Sequence, residues 1–297
     1  MLILSVILLL PQLVESGTFL FYFPFASRSH QIGFMAAVNG LAERGHSVTI
    51  ITANVETLAS ERISQILIHY EGREKLEKKI NEDALVSGRD GGGTTNMPLM
   101  EIAQMCVNAN EAALTHPETR KYLSEGKTFD VLLTSPFFSM ESGYFLANKF
   151  NSSLVLFGTS SASLPWLNWA GGNPFNPSYM PLGLLPYTQN MNFLQRLVNT
   201  IATVVFTFVI RDWYMLGNVD LLLHRVFPGQ EIPDLRALEK NVALSITQGS
   251  TFLNDGLRPM LPNSILAGFM TCTESKPLPQ DLQVFKGQVI LIVSITL

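Results

Sequence analysis

The sequence predicts an α/β domain of Rossmann-like architecture, with a mostly parallel sheet flanked by helices. Residues 18–52 have the pattern of a strand, a loop, an amphipathic helix, a tight turn and a second strand. Strand and helix patterns then alternate as far as residue 270, and 47% of the 297 residues are hydrophobic. Such alternation is typical of parallel sheets whose two faces are covered by helices.

The first unit is predicted from its hydrophobic pattern. Residues 18–24 are β-branched and aromatic, as in a buried parallel strand. The next apolar residues have the spacing of a helix that packs one face on a sheet: Phe34, Ala37, Val38, Leu41 and Ala42. Gly45 predicts the end of this helix, and His46–Thr52 supply the second strand. The loop before the helix then lies at the carboxyl edge of the sheet, where ligands of open α/β sheets bind.

A histidine, His30, stands in that loop, where the first helix begins. The partial positive charge of a helix N-terminus disfavours the imidazolium and keeps such a ring neutral near pH 7. A neutral imidazole accepts a proton from a hydroxyl that lies within hydrogen-bond reach. The competing interpretation is a solvated loop histidine without a catalytic role, and position alone favours it.

The remaining elements are predicted in order along the chain. Residues 1–16 are apolar and end in small or polar residues, which predicts a secretory signal peptide, although a positive charge at its start is lacking. The segment 54–98 is the most polar, and it predicts a solvated helix and a flexible loop. Helices, strands and a structured loop follow: helical periodicity at 99–125, a strand at 129–137, a helix at 139–150, a strand at 153–160 and a Gly/Pro-rich loop at 171–187.

The last third of the chain begins with a long helix or helix pair over 191–227. Its most apolar part, 201–210, is too short to span a bilayer. A buried helix is the default interpretation, and shallow contact with a bilayer surface is the alternative. A helix at 231–240 and strands at 242–249 and 264–270 complete the predicted domain.

Composition and motifs exclude several classes of protein. A net charge of −4 without a basic cluster argues against nucleic-acid binding. No spacing of His or Cys resembles a metal site, and Cys106 and Cys272 do not make a disulfide framework. No G-x-G-x-x-G follows a strand, and no P-loop is present, so neither a cofactor nor a metal is predicted.

Five motifs, in order and spacing, resemble the animal UDP-glycosyltransferases, the UDP-glucuronosyltransferase family. They are SHQIGFMAAVNGLAERGHSVTIIT, FDVLLTSPF, GGNPFNPSYMP, IPDLRALEKNVALSITQGS, and LRPMLPNSILAGFM with KPLPQDLQVF. The resemblance implies the N-terminal, acceptor-binding half of a GT-B glycosyltransferase, truncated before the UDP-sugar-binding domain. The implied organisation is a signal peptide at 1–16, an acceptor-binding Rossmann-like domain at 17–275, a linker at 276–285 and a divergent tail at 286–297.

The resemblance also implies a catalytic pair. His30 matches the family's base, and the family usually has an aspartate that binds the far nitrogen of this ring. Ser135 stands at that aspartate's position, and a hydroxyl orients the ring without supplying a negative charge. Glu141 is an alternative partner whose placement the sequence leaves open. The implied acceptor-binding residues are Phe25, Ser29, Pro136 and Phe137.

The implied reaction is inverting transfer of a glucuronosyl or hexosyl group from a UDP-sugar to a hydroxyl of a small lipophilic acceptor. UDP-sugar is the co-substrate, used only if a donor domain is supplied, so the chain alone is expected to be inactive. The alternative is a non-catalytic lipophile-binding or regulatory module that pairs with full-length relatives. The resemblance implies the lumen of the endoplasmic reticulum, peripheral membrane contact without an anchor, and homo- or hetero-oligomers with family members.

Overall fold

The computed structural model describes residues 16–25, 27–79, 99–136, 139–158, 169–248 and 259–268. Within them one seven-stranded sheet has the strand order β3-β2-β1-β4-β5-β6-β7. Every pairing in it is parallel, which confirms the predicted α/β class. The strands are β1 (Thr18–Phe23), β2 (Ser47–Thr52), β3 (Ile63–Leu67), β4 (Val131–Thr134), β5 (Ser153–Gly158), β6 (Val242–Gln248) and β7 (Ser264–Ala267).

Helices cover both faces of this sheet. They are α1 (Arg28–Glu43), α2 (Leu99–Thr115), α3 (Pro117–Ser124), α4 (Ser142–Lys149), α5 (Phe193–Val204), α6 (Leu216–Val226) and α7 (Leu235–Glu239). A π-helical segment, Val205–Met215, joins α5 to α6, so that Phe193–Val226 is one continuous helix of 34 residues. The predicted signal peptide (except Ser16), linker and tail lie outside the described residues.

The core has two halves because side chains alternate across each strand. Phe21 and Phe23 of β1 pack with Phe34 and Val38 of α1 on one face. Leu20 and Tyr22 point to the other face, where they share a core with residues of α4 and α6. Helices α1 and α4 therefore lie on opposite faces of the sheet.

The first β-α-β unit follows the prediction closely. Helix α1 begins after Ser27, whose extended backbone and hydroxyl cap the helix. It ends before Gly45, whose φ of 91° is the left-handed conformation that glycine adopts most readily. Phe34, Val38 and Ala42 of the predicted apolar stripe are buried.

Strand β3 was not predicted, because its five residues lie in the most polar part of the sequence. It is an edge strand on β2, and only Ile63 and Ile66 of its residues are buried. A short edge strand needs few apolar residues, since one side of its backbone and part of its surface face solvent. The predicted solvated helix that follows is present over residues 73–79.

The long helix also differs from the default interpretation of a buried helix. Its second part, α6, is buried through Leu216, Val219 and Leu223. In its first part, large apolar side chains face outward: Phe193, Leu194, Leu197, Val198, Ile201, Val204, Val205, Phe208, Val209 and Trp213. Among the described residues, Phe193–Val226 is the one helix long and apolar enough to cross a membrane, and 17% of its most apolar window is buried.

Candidate active site

The strand order reverses between β1 and β4, which are neighbours although three crossovers separate them in sequence. Ligands of doubly wound sheets bind in the crevice at such a switch point, beyond the carboxyl ends of the strands. His30 follows β1 and Ser135 follows β4. The fold therefore places the two predicted catalytic residues beside this crevice, His30 in the first turn of α1 and Ser135 in the loop after β4.

The imidazole of His30 is half-buried in the first turn of α1. Its Nδ1 atom lies 2.8 Å from the Oγ atom of Ser27, which also accepts the backbone N–H of His30 at 3.4 Å. Burial lowers the pKa of His30 below the usual 6.5, because desolvation disfavours the charged ring. The ring is consequently neutral at pH 7 and is held by the residue that caps its own helix.

Ser27 contacts His30 in the candidate site but was not predicted from the sequence. The signal was present, since a serine immediately before a helical pattern predicts an N-cap. A side chain at that position faces the first turn, and there it reaches the ring of His30 as well as its N–H. The orienting partner of the ring thus comes from its own loop.

Ser135 is buried beside this crevice. In the part of the chain that the structure describes, no hydrogen bond joins Ser135 to His30. Its role as the ring's partner therefore remains a prediction.

Glu141 lies on the other face of the sheet. It precedes α4, and its Oε1 atom is 3.7 Å from Nε of Arg211 in the π-helical segment. Burial raises the pKa of Glu141 to about 7, and Arg211 opposes that shift. Glu141 therefore belongs to a buried ion cluster and not to the surroundings of His30.

The predicted acceptor-binding residues have different placements. Phe25 is buried and its ring packs against Tyr70, with centroids 5.9 Å apart. Pro136 is buried in the loop after β4. The backbone of Ser29 lies in the first turn of α1, next to His30, and Phe137 lies outside the described residues. Contact of these four residues with an acceptor remains a prediction.

A buried polar network fixes the first turn of α1 to the end of β2. The Oε1 atom of Gln31 accepts hydrogen bonds from Thr52 Oγ1 (2.6 Å) and Asn54 Nδ2 (2.9 Å). Its Nε2 atom donates to Glu56 Oε1 (2.8 Å) and to the carbonyl oxygen of Asn54 (3.3 Å). All four hydrogen-bonding positions of this fully buried amide are used, so the turn that carries His30 has a fixed place.

A second network anchors the loop that follows β4. The hydroxyl of Tyr22 lies 3.0 Å from Asn110 Oδ1 and 2.8 Å from Ser142 Oγ, and Asn110 Nδ2 donates to the carbonyl oxygen of Ser139 (3.0 Å). Ser139 has a φ of 58°, which is uncommon outside glycine. A Cβ atom at Gly143 would meet Thr134 Oγ1 at 2.8 Å, so only glycine fits there. Helix α2 thus holds the second loop of the crevice.

A carboxylate at position 27 is expected to raise the pKa of His30 above its value in a neutral control variant. Ser27→Asp keeps a helix cap and puts a carboxylate on Nδ1, which raises the pKa by favouring the imidazolium. Ser27→Gly removes the hydroxyl at a cost of a few tenths of a kcal/mol to the helix, and it brings no charge. Ring nitrogen shifts of labelled histidine, measured by NMR across pH, report both values. Equal pKa values in Ser27→Asp and Ser27→Gly would contradict the contact.

Comparisons with known proteins identify the family to which the chain is similar. The family described as UDP-glucoronosyl and UDP-glucosyl transferase matches residues 20–290. UDP-glucosyltransferase 2 of Dactylopius coccus is 24% identical over 97% of this chain and 54% of its own length. UDP-glucuronosyltransferase 2B16 of Oryctolagus cuniculus is 23% identical over 86% of this chain and 50% of its own length. A solved UDP-glucosyltransferase from Polygonum tinctorium covers 92% of this chain, with 12% identity and a TM-score of 0.47.

The chain folds as a doubly wound α/β domain, with His30 near the carboxyl edge of its sheet and with the pKa of that histidine lowered by burial. The chain belongs to the UDP-glucuronosyl and UDP-glucosyl transferase family. It spans about half the length of the curated relatives it matches, 54% and 50% of the two named above.

Proposed function

We propose that this chain supplies the acceptor-binding half of a UDP-glycosyltransferase, in which His30 is the general base. One observation carries the proposal: a neutral, half-buried imidazole lies at the switch point of the sheet, with Nδ1 held by Ser27. In the tautomer with its proton on Nδ1, the ring donates to Ser27 Oγ, and Nε2 carries the lone pair that accepts the acceptor's proton.

The proposed reaction follows from that lone pair. The acceptor hydroxyl loses its proton to Nε2, its oxygen forms a bond to C1 of the sugar, and the bond from C1 to the diphosphate breaks as UDP leaves. Attack on the face opposite UDP inverts C1. No metal or cofactor has a step in this scheme, and the UDP-sugar is held by the donor half. Most of the rate gain comes from holding the two reactants in line.

The surroundings of His30 favour a lipophilic acceptor with one reactive hydroxyl. Phe25 and Pro136 are apolar residues of the two loops that border the crevice, and small-molecule sites are mostly apolar with few polar groups. Because Ser27 contributes no negative charge, the imidazolium is less stabilised than in a His–Asp pair. Phenols, which lose their proton more readily than alkyl alcohols, therefore suit this base better.

The test uses a fusion protein, in which this chain is joined to the part of the Dactylopius coccus relative that it does not cover. Transfer from labelled UDP-glucose or UDP-glucuronate to a panel of phenols is expected, with inverted product stereochemistry. The chain alone is expected to bind the same phenols, which shift the Nε2 signal of His30 in NMR spectra. Binding that leaves His30 unperturbed, together with no transfer by the fusion, would favour the non-catalytic module that pairs with full-length relatives.

We further propose that the outer face of residues 193–213 rests on a bilayer surface, on the luminal side of the secretory pathway. Its outward side chains are large and apolar, and Trp213 is 74% exposed. Water-exposed apolar surface of this extent is typical of an interaction site, and a helix with one apolar face binds in the plane of a membrane interface. The signal-like pattern of residues 1–16 supports entry into the secretory pathway.

Flotation with phosphatidylcholine vesicles is expected to carry the chain upward with the lipid. The double substitution Ile201→Ser and Phe208→Ser removes two outward apolar side chains, and the fraction bound is expected to fall severalfold. Leu221→Ser is the matched control, because Leu221 is exposed on the α6 part of the same helix. Equal loss in the control variant would contradict this face as the contact, and resistance to alkaline carbonate would indicate a spanning helix instead.

A further inference from the structure

The turn between α4 and β5 contains Asn151-Ser152-Ser153, the one N-x-S/T sequence in the chain without proline at x. This sequence is the acceptor of N-linked glycosylation in proteins of the secretory pathway. Asn151 and Ser153, the two residues that the modifying enzyme recognises, are both exposed. The buried hydroxyl of Ser152 belongs to the middle position, which is not recognised.

The backbone conformation of the turn accounts for the asparagine of this motif but not for the serine at position 153. Asn151 has a φ of 51°, and the N–H groups of Asn151 and Ser152 donate to the carbonyls of Asn148 (3.2 Å) and Ala147 (2.9 Å). These bonds end α4 in a left-handed residue, a position where asparagine is the usual substitute for glycine. The helix end therefore accounts for Asn151. It does not require a hydroxyl at Ser153, which is joined to the sheet through its backbone N–H and the carbonyl oxygen of Asp130 (2.9 Å).

The turn lies at the amino edge of the sheet. Ser153 begins β5, next to the place where Asp130 accepts hydrogen bonds from Thr18 at the start of β1. The carboxyl edge is the length of a six-residue strand away, about 20 Å. A large hydrophilic substituent on Asn151 would extend into solvent without covering the crevice at His30.

We infer that Asn151 carries an N-linked oligosaccharide. The step transfers the sugar from a lipid-diphosphate carrier: Nδ2 of Asn151 forms a bond to the anomeric carbon, the bond from that carbon to the diphosphate oxygen breaks, and the amide loses one proton. The inference rests on the luminal location proposed above. It also requires Asn151 at the amino edge of the sheet to be accessible, which means that the donor half and the bilayer must contact other surfaces.

The full chain is expressed in insect cells, and its mass is measured before and after treatment with peptide N-glycosidase. The enzyme is expected to remove an oligosaccharide and leave aspartate at position 151. Asn151→Gly keeps the left-handed helix end and loses the oligosaccharide, and Ser153→Ala loses it as well. Asn148→Gln is the matched control, because Asn148 is exposed one turn earlier without a sequon, and it is expected to keep the oligosaccharide.

A second acceptor sequence, introduced by substitution, tests the luminal location independently of Asn151. Gly126 is exposed in the corresponding turn between α3 and β4, with a φ of 63° and nothing within 4 Å of an added Cβ. Gly126→Asn creates an acceptor followed by Lys127 and Thr128 in the same backbone conformation. An oligosaccharide at position 126 but not at Asn151 overturns the inference and leaves the location intact. An oligosaccharide at neither position overturns both.

Discussion

Replacing His30 by glutamine is expected to lower the rate of glycosyl transfer by about 10²–10⁴-fold, the usual contribution of a general base. Glutamine has an amide that can bond to Ser27, but it has no nitrogen that accepts a proton near pH 7. The half-buried position of His30 makes the substitution mild for folding. The rate is measured with the fusion that carries the donor half, at saturating UDP-sugar, together with the free energy of unfolding.

The pH dependence of the same rate distinguishes a base from a residue that only binds. Because the pKa of His30 is lowered, the rate is expected to be level near pH 7 and to fall only when the pH drops below that pKa. The same ring affects stability, since the folded chain favours the neutral form. The free energy of unfolding is expected to decline as the pH falls below about 6.5, the pKa of the unfolded chain. If His30→Gln changes the rate less than threefold, another residue is the general base.

The first half of the site could be predicted because its determinants are local in sequence. Residues 18–52 contain a complete β-α-β unit, and the hydrophobic periods, the glycine end signal and the position of His30 all lie within it. The loop before α1 follows β1 directly, so it lies at the carboxyl edge of the sheet. Ser27 completes the same loop, and the capping rule could have found it, since it lies three residues before His30.

The second half of the site depends on contacts between distant parts of the chain. Glu141 was an alternative partner for His30 because it follows Ser135 by only six residues. In the structure its carboxylate faces Arg211 instead, seventy residues later in the chain. The pattern of β3 was hidden by its polar neighbours. Apolar content alone also favoured burial of 193–213, because composition does not reveal which surface of a helix the rest of the fold covers.

The ion cluster around Arg211 is the place where a single substitution is expected to destabilise the fold most. The guanidinium is almost fully buried in the π-helical segment, where a wider helix turn directs it inward while Phe208 and Trp213 point outward. It contacts Glu239 of α7, Asp212 Oδ1 at 2.9 Å and Glu141 Oε1 at 3.7 Å. Arg211 thus compensates carboxylates from three elements, and Arg236 lies 3.6 Å from the Oδ2 atom of one of them, Asp212.

Arg211→Met is expected to cost about 3–5 kcal/mol of unfolding free energy at pH 8, because buried carboxylates lose their counter-charge. For a domain of this size the transition temperature falls by roughly 6–20 °C. Arg225→Met is the matched control on α6, where an exposed pair with Glu111 at 2.6 Å contributes about 0–1 kcal/mol. Calorimetry and urea titration measure both variants.

The pH dependence identifies the cause of that loss. Burial already raises the pKa of Glu141 to about 7 and the pKa of Glu239 above its usual value, and Arg211 opposes both shifts. Without Arg211 both acids hold their protons more tightly in the folded chain, so stability is lost as the pH rises from the unfolded pKa of about 4.5 through the folded values. The penalty of Arg211→Met is therefore smaller at pH 5 than at pH 8, and it shrinks further in the double variant with Glu141→Gln. A penalty independent of pH would instead indicate lost packing of the arginine side chain, because packing does not change with the charge of the carboxylates.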